Sequence, residues 1–106
     1  MEYAFDHENL DSYRVALAVA LWVSAAKFPG GCSDLRDQGV RAARSTVLNI
    51  AEGRSRGGDA GRNHYRIALG SAAETCAVLD LVALPDGREQ QDKLRRVGAM
   101  LARMAR

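Results

Sequence analysis

Two histidines, two cysteines and a scatter of carboxylates are all this chain offers a catalyst, and none stands at a catalytic spacing. His7 and His64 belong to no HExxH or comparable zinc-ligand pattern. Cys32 falls in a loop and Cys76 on an apolar helix stripe, where it reads as core packing. They share no metal spacing and form no disulfide framework, so a reduced cytoplasm is the expected compartment. Glu52 and Glu74 can face each other as a carboxylate pair, which in a helix bundle can hold metal. The Glu-x-x-His partners that complete such sites are missing. The stretch 54–62 is glycine-rich and basic. It lacks the Gly-Lys-Ser/Thr ending of a phosphate-binding P-loop, and no strand precedes it. The expectation is a protein with no catalytic residues, no metal and no cofactor, hence not an enzyme.

Arginine is what the chain has instead. It outnumbers lysine thirteen to two, and the overall net charge of +2 hides an uneven distribution. Residues 36–66 carry seven arginines against Asp37, Glu52 and Asp59, a net +4. Residues 88–106 carry another net +4, and the remainder −6. The guanidinium fork suits bidentate phosphate contacts and buried ion pairs. Arg36, Arg41, Arg44, Arg54, Arg56, Arg62 and Arg66 are therefore the candidate contacts to a nucleic-acid backbone.

Helices must position these side chains. The chain of 106 residues is read as one domain, 1–106, with no signal peptide, since the N-terminus is acidic and has no apolar h-region. After an extended lead-in over 1–7, with Asp6 or Asn9 as cap, helical periodicity predicts a first helix over 8–28. Leu10, Tyr13, Leu17, Leu21 and Phe28 form one stripe on it, and Val15, Val19, Trp22 and Ala26 a second. The uncharged run from Val15 to Ala26 is too short to span a bilayer. A helix apolar on two faces wants two partners, so self-association is expected. Pro29-Gly30-Gly31 ends this helix, and Ser33 or Asp34 can cap the next.

The second helix is expected over 35–52, with Val40, Ala43, Val47 and Ile50-Ala51 inward. Gln38, Arg41, Ser45, Asn49 and Glu52 line the opposite face as a polar contact surface. Gly53 should stop this helix, leaving 54–62 as a mobile loop. A third helix over 62–83 carries Tyr65, Ala68, Leu69, Ala72, Cys76, Leu79 and Ala83 inward. Gly70 in its middle costs up to about 1 kcal/mol relative to alanine, so a close helix neighbour is expected there. Glu74, isolated among apolar residues, is expected to pair with an arginine of the second or third helix. Leu84-Pro85-Asp86-Gly87 breaks the chain again. A fourth helix over 88–104 covers the core with Leu94, Val97, Leu101 and Met104 beneath a basic outer surface. Short breaks between long helices predict an all-α, antiparallel up-down-up-down four-helix bundle.

Two segments stand out for small and polar residues at helical positions. One is Ser45-Thr46-Val47-Leu48-Asn49-Ile50-Ala51-Glu52-Gly53; the other runs from Tyr65 through Ala68-Leu69-Gly70-Ser71-Ala72 to Glu74. In order and at this spacing, they resemble the four-helix-bundle proteins encoded in intervening sequences of bacterial large-subunit ribosomal RNA genes. That family is related to accessory proteins of diversity-generating retroelements. Val47-Leu48 and Arg62-Asn63-His64 depart from the usual pattern. The resemblance implies a homo-oligomer, specifically a homopentamer, with Ser45, Asn49, Glu52, Gly53, Tyr65, Gly70, Ser71 and Glu74 as its structural and interface motif. It also implies RNA or DNA as partner, alongside a reverse transcriptase; no membrane is expected, from the shortness of the uncharged run in the first helix. The alternative expectation is a protein–protein scaffold whose arginines make intersubunit ion pairs.

Overall fold

The structure, a computed structural model, describes residues 2–106; Met1, the start of the expected lead-in, lies outside the described residues. It is all-α, with no strand among the described residues. The four helices are α1 (Asp11–Ala25), α2 (Ser33–Arg56), α3 (Gly58–Leu81) and α4 (Gly87–Met104), preceded by a 3-10 turn at Asp6–Asn9. Each helix packs on two others: α1 on α2 and α4, α3 on α2 and α4. Val19, Val23, Ile50, Ala68, Val97 and Leu101 fill the space enclosed and are almost wholly buried. No helix is long and apolar enough to cross a membrane among the described residues.

Helix α1 is shorter than periodicity suggests. Its start is delayed because Asp6–Asn9 closes its own turn, with the Glu8 carboxylate accepting the Phe5 N–H at 2.7 Å. Leu10, in extended conformation, then takes the cap position, and neither Asp6 nor Asn9 caps the helix. At the far end the chain turns extended at Ala26, ahead of Phe28, which precedes proline and so avoids helical angles. The face α1 buries is neither expected stripe as a whole but the line between them, Ser12, Ala16, Ala20 and Val23, together with Val19 of the second stripe. Tyr13, Val15, Leu17 and Trp22 flank it, half-covered by the chain's own core. The second stripe is thus largely used within the subunit, and Leu21 is the large side chain α1 leaves exposed.

The largest correction concerns α2 and α3. Gly53 does not stop α2, which runs on to Arg56, and α3 begins at Gly58, so the expected mobile loop is helix on both sides of Gly57. That single residue makes the connection with φ 66° and ψ 176°, a region open in practice only to glycine. Gly53 is buried at the contact between the two helices. A β-carbon there would lie 2.6 Å from Tyr65 Cε1, and one on Gly61 would lie 2.5 Å from the Gly53 carbonyl oxygen. Hydrogen fits where a methyl group cannot, and the two helices meet backbone to backbone. The signal read as a terminator is a packing residue.

Smaller shifts have local causes. Cys32 occupies the N-cap of α2 without a side-chain bond, so neither Ser33 nor Asp34 caps it. Helix α3 ends at Leu81, and Ala83 lies beyond it, exposed. Asp86 enters α4 in the left-handed region at φ 64°, which aspartate tolerates better than most residues. On α4 the buried apolar side chains are Leu94, Val97 and Leu101, Gln90 and Gln91 are buried beside them, and Met104 is half-covered.

Candidate functional site

Because α2 and α3 fold back on each other at Gly57, residues roughly equidistant from that glycine come together. Gly53 meets Gly61 and Tyr65, Asn49 meets His64, Ser45 meets Ser71, and Gly39 lies beside Val78. The middle rungs form a polar ladder. Asn49 Nδ2 donates to the Ser45 carbonyl at 2.9 Å and reaches Ser45 Oγ at 3.2 Å. Ser45 and Ser71 hydroxyls share a bond of 2.8 Å. A backbone carbonyl only accepts, so the Asn49 amide nitrogen must point at Ser45 and its Oδ1 at His64. Oδ1 also only accepts, so His64 Nδ1, at 2.9 Å, carries the hydrogen. In the neutral ring Nε2 is then a lone-pair acceptor, and it has no partner among the described residues.

His64 opens onto a pocket of about 500 Å³ between α2, the start of α3 and the N-terminal segment. Asn49, Glu52 and Ser55 supply its polar wall, Leu48 and Ala51 part of its apolar wall. Phe5 and His7 close the other side. Their rings stack at 5.9 Å between centroids and 17° between planes. Tyr3 meets Phe5 edge-on, and Tyr13 meets His7 edge-on, so four rings run in series. Glu52 Oε1 accepts from Arg56 at 3.1 Å.

The seven candidate arginines do not form one cluster. Arg36, Arg41 and Arg44 surround a hollow of about 360 Å³ on α2, with Asp37 and Val40. Arg36 reaches the Ser24 carbonyl at 3.5 Å and Asp37 at 3.7 Å. Arg41 and Arg44 are exposed and have no acidic partner among the described residues. Arg54, Arg56, Arg62 and Arg66 lie around the Gly57 end, with Arg41 and Arg54 separated by about 20 Å of helix. Three of those four are engaged within the chain: Arg56 with Glu52, Arg62 with Asp59, and Arg66 with the Ala105 carbonyl at 3.0 Å. Arg54 is exposed, and its charge works against the rise in Tyr65 pKa that burial causes.

Two expectations about the motif fail within the subunit. Glu74 is exposed and makes no ion pair among the described residues, because it lies on the outer face of α3 rather than toward α2. Gly70 is exposed on the same face, with nothing within 4 Å of a β-carbon built there. Ile67, Gly70, Glu74 and Leu81 fall within about 60° of arc at 100° per residue. Glu52 and Glu74 therefore do not pair, and no group of His, Cys, Asp and Glu able to hold a metal exists among the described residues.

Sequence reasoning missed His64, His7 and Phe5. His64 was legible in principle, since it stands seven residues beyond Gly57 and Asn49 eight before it. Finding it requires knowing that the turn is one residue long. For Phe5 and His7 no periodic signal exists, because they lie ahead of the first helix.

No curated protein matches the chain. The family model described as 23S rRNA-intervening sequence protein matches residues 8–102, nearly the whole length, and the chain belongs to that family.

Proposed function

We propose that this member of the family is a non-enzymatic nucleic-acid-binding accessory protein that works as a homo-oligomer in the cytoplasm. The observation that carries the reading is the hollow on α2, where Arg41 and Arg44 stand exposed and unpaired beside Arg36. Unpaired guanidinium groups around a concavity cost nothing to release from acidic partners and suit phosphate oxygens. Exposed Arg88, Arg96, Arg103 and Arg106 on or beside α4 add a second basic surface. Repetition of such surfaces around an assembly multiplies a modest affinity.

The subunit is read as antiparallel and up-down-up-down, supported by the pairing of residues about Gly57 and the cyclic order of helix contacts. Its assembly surface is the outer face of α3. Gly70 carries a helix-interior cost that nothing in the subunit offsets, and Ile67 and Leu81 on the same face are 44% and 71% exposed. A neighbouring copy approaching closely at Gly70 offsets that cost, and Glu74 gains an arginine there. Five subunits, and a reverse transcriptase as companion, rest on the sequence resemblance.

Titration with short RNA and DNA in low salt tests the main reading. Binding should be salt-sensitive and weakly sequence-specific, and Arg41→Ala with Arg44→Ala should flatten the log–log salt slope by about 1.4 for a single strand. No measurable binding at low salt overturns it. A second reading, an interaction scaffold, is favoured by the exposed Leu48, Ile67 and Leu81. It predicts a protein-like 260/280 nm absorbance ratio after purification, and a broken oligomer on charge reversal at Arg44 or Arg66, read by light scattering.

A further inference from the structure

We infer that the pocket between Phe5 and His64 receives an unpaired nucleobase of a single strand, an inference that rests on the nucleic-acid reading above and gives it a strand preference. Arg41, Arg44, Leu48, Ala51 and Ser55 follow one another along α2 within about 80° of arc. The basic hollow and the pocket are therefore successive stations on one helix face: guanidinium groups first, then, about two turns on, an aromatic wall. Phosphate chemistry and base chemistry are laid out in the order a single strand presents them.

The pocket matches a base in three respects. A base has an apolar π-face, and Phe5, 59% exposed, offers a ring already stacked on His7. Large exposed aromatic rings in series are unusual on a protein surface, and stacking on bases is a common use of them. A base has a polar edge, and the opposite wall holds acceptors without partners among the described residues: Glu52 Oε2 and, in the neutral ring whose Nδ1 hydrogen goes to Asn49, His64 Nε2. A base must be unstacked to lay its face on the Phe5 ring, as it is in a single strand, and a hollow of about 500 Å³ has room for it. Asp6 and Glu8 beside the aromatic segment repel phosphate, which is consistent with a neutral base lying here and the backbone running past Arg44 and Arg54.

An unstructured 12-residue oligocytidylate, as RNA and as DNA, is the probe, because its amino group suits the two acceptors. Binding is read by fluorescence anisotropy at low salt, and the pocket by the ring proton resonances of the protein's two histidines. Both histidine signals should move on binding, and a duplex of equal length should bind more weakly. Phe5→Ala, at an exposed position and checked for helicity by circular dichroism, should weaken single-strand binding about tenfold and leave the salt slope unchanged. If the oligonucleotide binds while both histidine signals stay put and Phe5→Ala has no effect, the pocket is overturned and the basic hollow stands. If nothing binds, both fall.

Discussion

Helix α3 lies between two seams built on opposite plans. Against α2 it packs backbone to backbone through Gly53 and Gly61, with Tyr65 filling the space beside them and the Ser45–Asn49–Ser71–His64 ladder continuing along the contact. Against α4 it packs side chain to side chain through Leu69 and Leu94, and leaves a groove of about 330 Å³ lined also by Ala72, Ala73, Cys76, Ala77 and Gly98. Both seams contain small residues. In the first, small size is a requirement of contact; in the second, it leaves space. Composition cannot tell these apart, but substitution can.

The largest effect is expected at Gly61. Its β-carbon would strike the Gly53 carbonyl, a backbone atom that cannot rotate away, so Gly61→Ala should cost about 3 kcal/mol or more. Thermal unfolding of that variant should start at least about 12 °C lower. A fall of only a degree or two would mean the α2–α3 seam yields easily, and the contrast with the α4 seam would vanish. Next comes the ladder. Asn49→Leu removes the donors to Ser45 and strands the His64 Nδ1 hydrogen, a loss of about 1–2 kcal/mol in unfolding free energy, read by urea denaturation.

Across α3 the sign should reverse. A β-carbon on Gly98 would sit 3.6 Å from Leu69 Cδ1, ordinary contact, so Gly98→Ala gains helix propensity and partly fills the groove. It should stabilise the fold by about 1 kcal/mol. A destabilised Gly98→Ala would show that the groove closes in solution and that both seams depend on glycine after all.

These signs bear on what the sequence could reveal. Four helices and the apolar stripes of α2 and α4 were legible, because Val40, Val47, Ile50, Leu94, Val97 and Leu101 recur at the helical period whatever they pack on. The α2–α3 hairpin was not. Gly53 looks like a terminator and residues 54–62 like a loop as long as glycine is judged along the chain; what decides is Tyr65 and Gly61 across it. The α1 stripes misled for a related reason: periodicity marks the large residues, while the buried line is Ser12, Ala16 and Ala20 among them. For the candidate site, Ser45 and Asn49 declared themselves as poor surface residues on a helix. His64 did not, since its place opposite Asn49 follows from a turn of one residue. Arg41 and Arg54 looked like one basic cluster only because separation along a helix is invisible in a charge count.

The smallest effect distinguishes the seams by pH. Each holds one ionisable side chain whose proton is held more tightly in the fold, chiefly through burial: Tyr65, raised from 10.0, and Cys76, raised from 9.0. For Cys76 the Arg95 charge works in the opposite direction, and for Tyr65 the Arg54 charge does so. In both cases the native state binds the proton more tightly than the unfolded chain, so stability is intact below the ordinary value and declines as pH rises through it toward the folded value. The α4 seam should therefore weaken first, from about pH 9, and the α2 seam only from about pH 10. Cys76→Ala removes the earlier decline and Tyr65→Phe the later one. Urea midpoints measured from pH 8 to 11 read both against the parent protein. Tyr65→Phe is the sharper probe, because the ring that fills the space beside Gly53 is retained. If its alkaline decline superimposes on the parent's, burial of the phenol at the glycine crossing is less complete than its 9% exposure indicates.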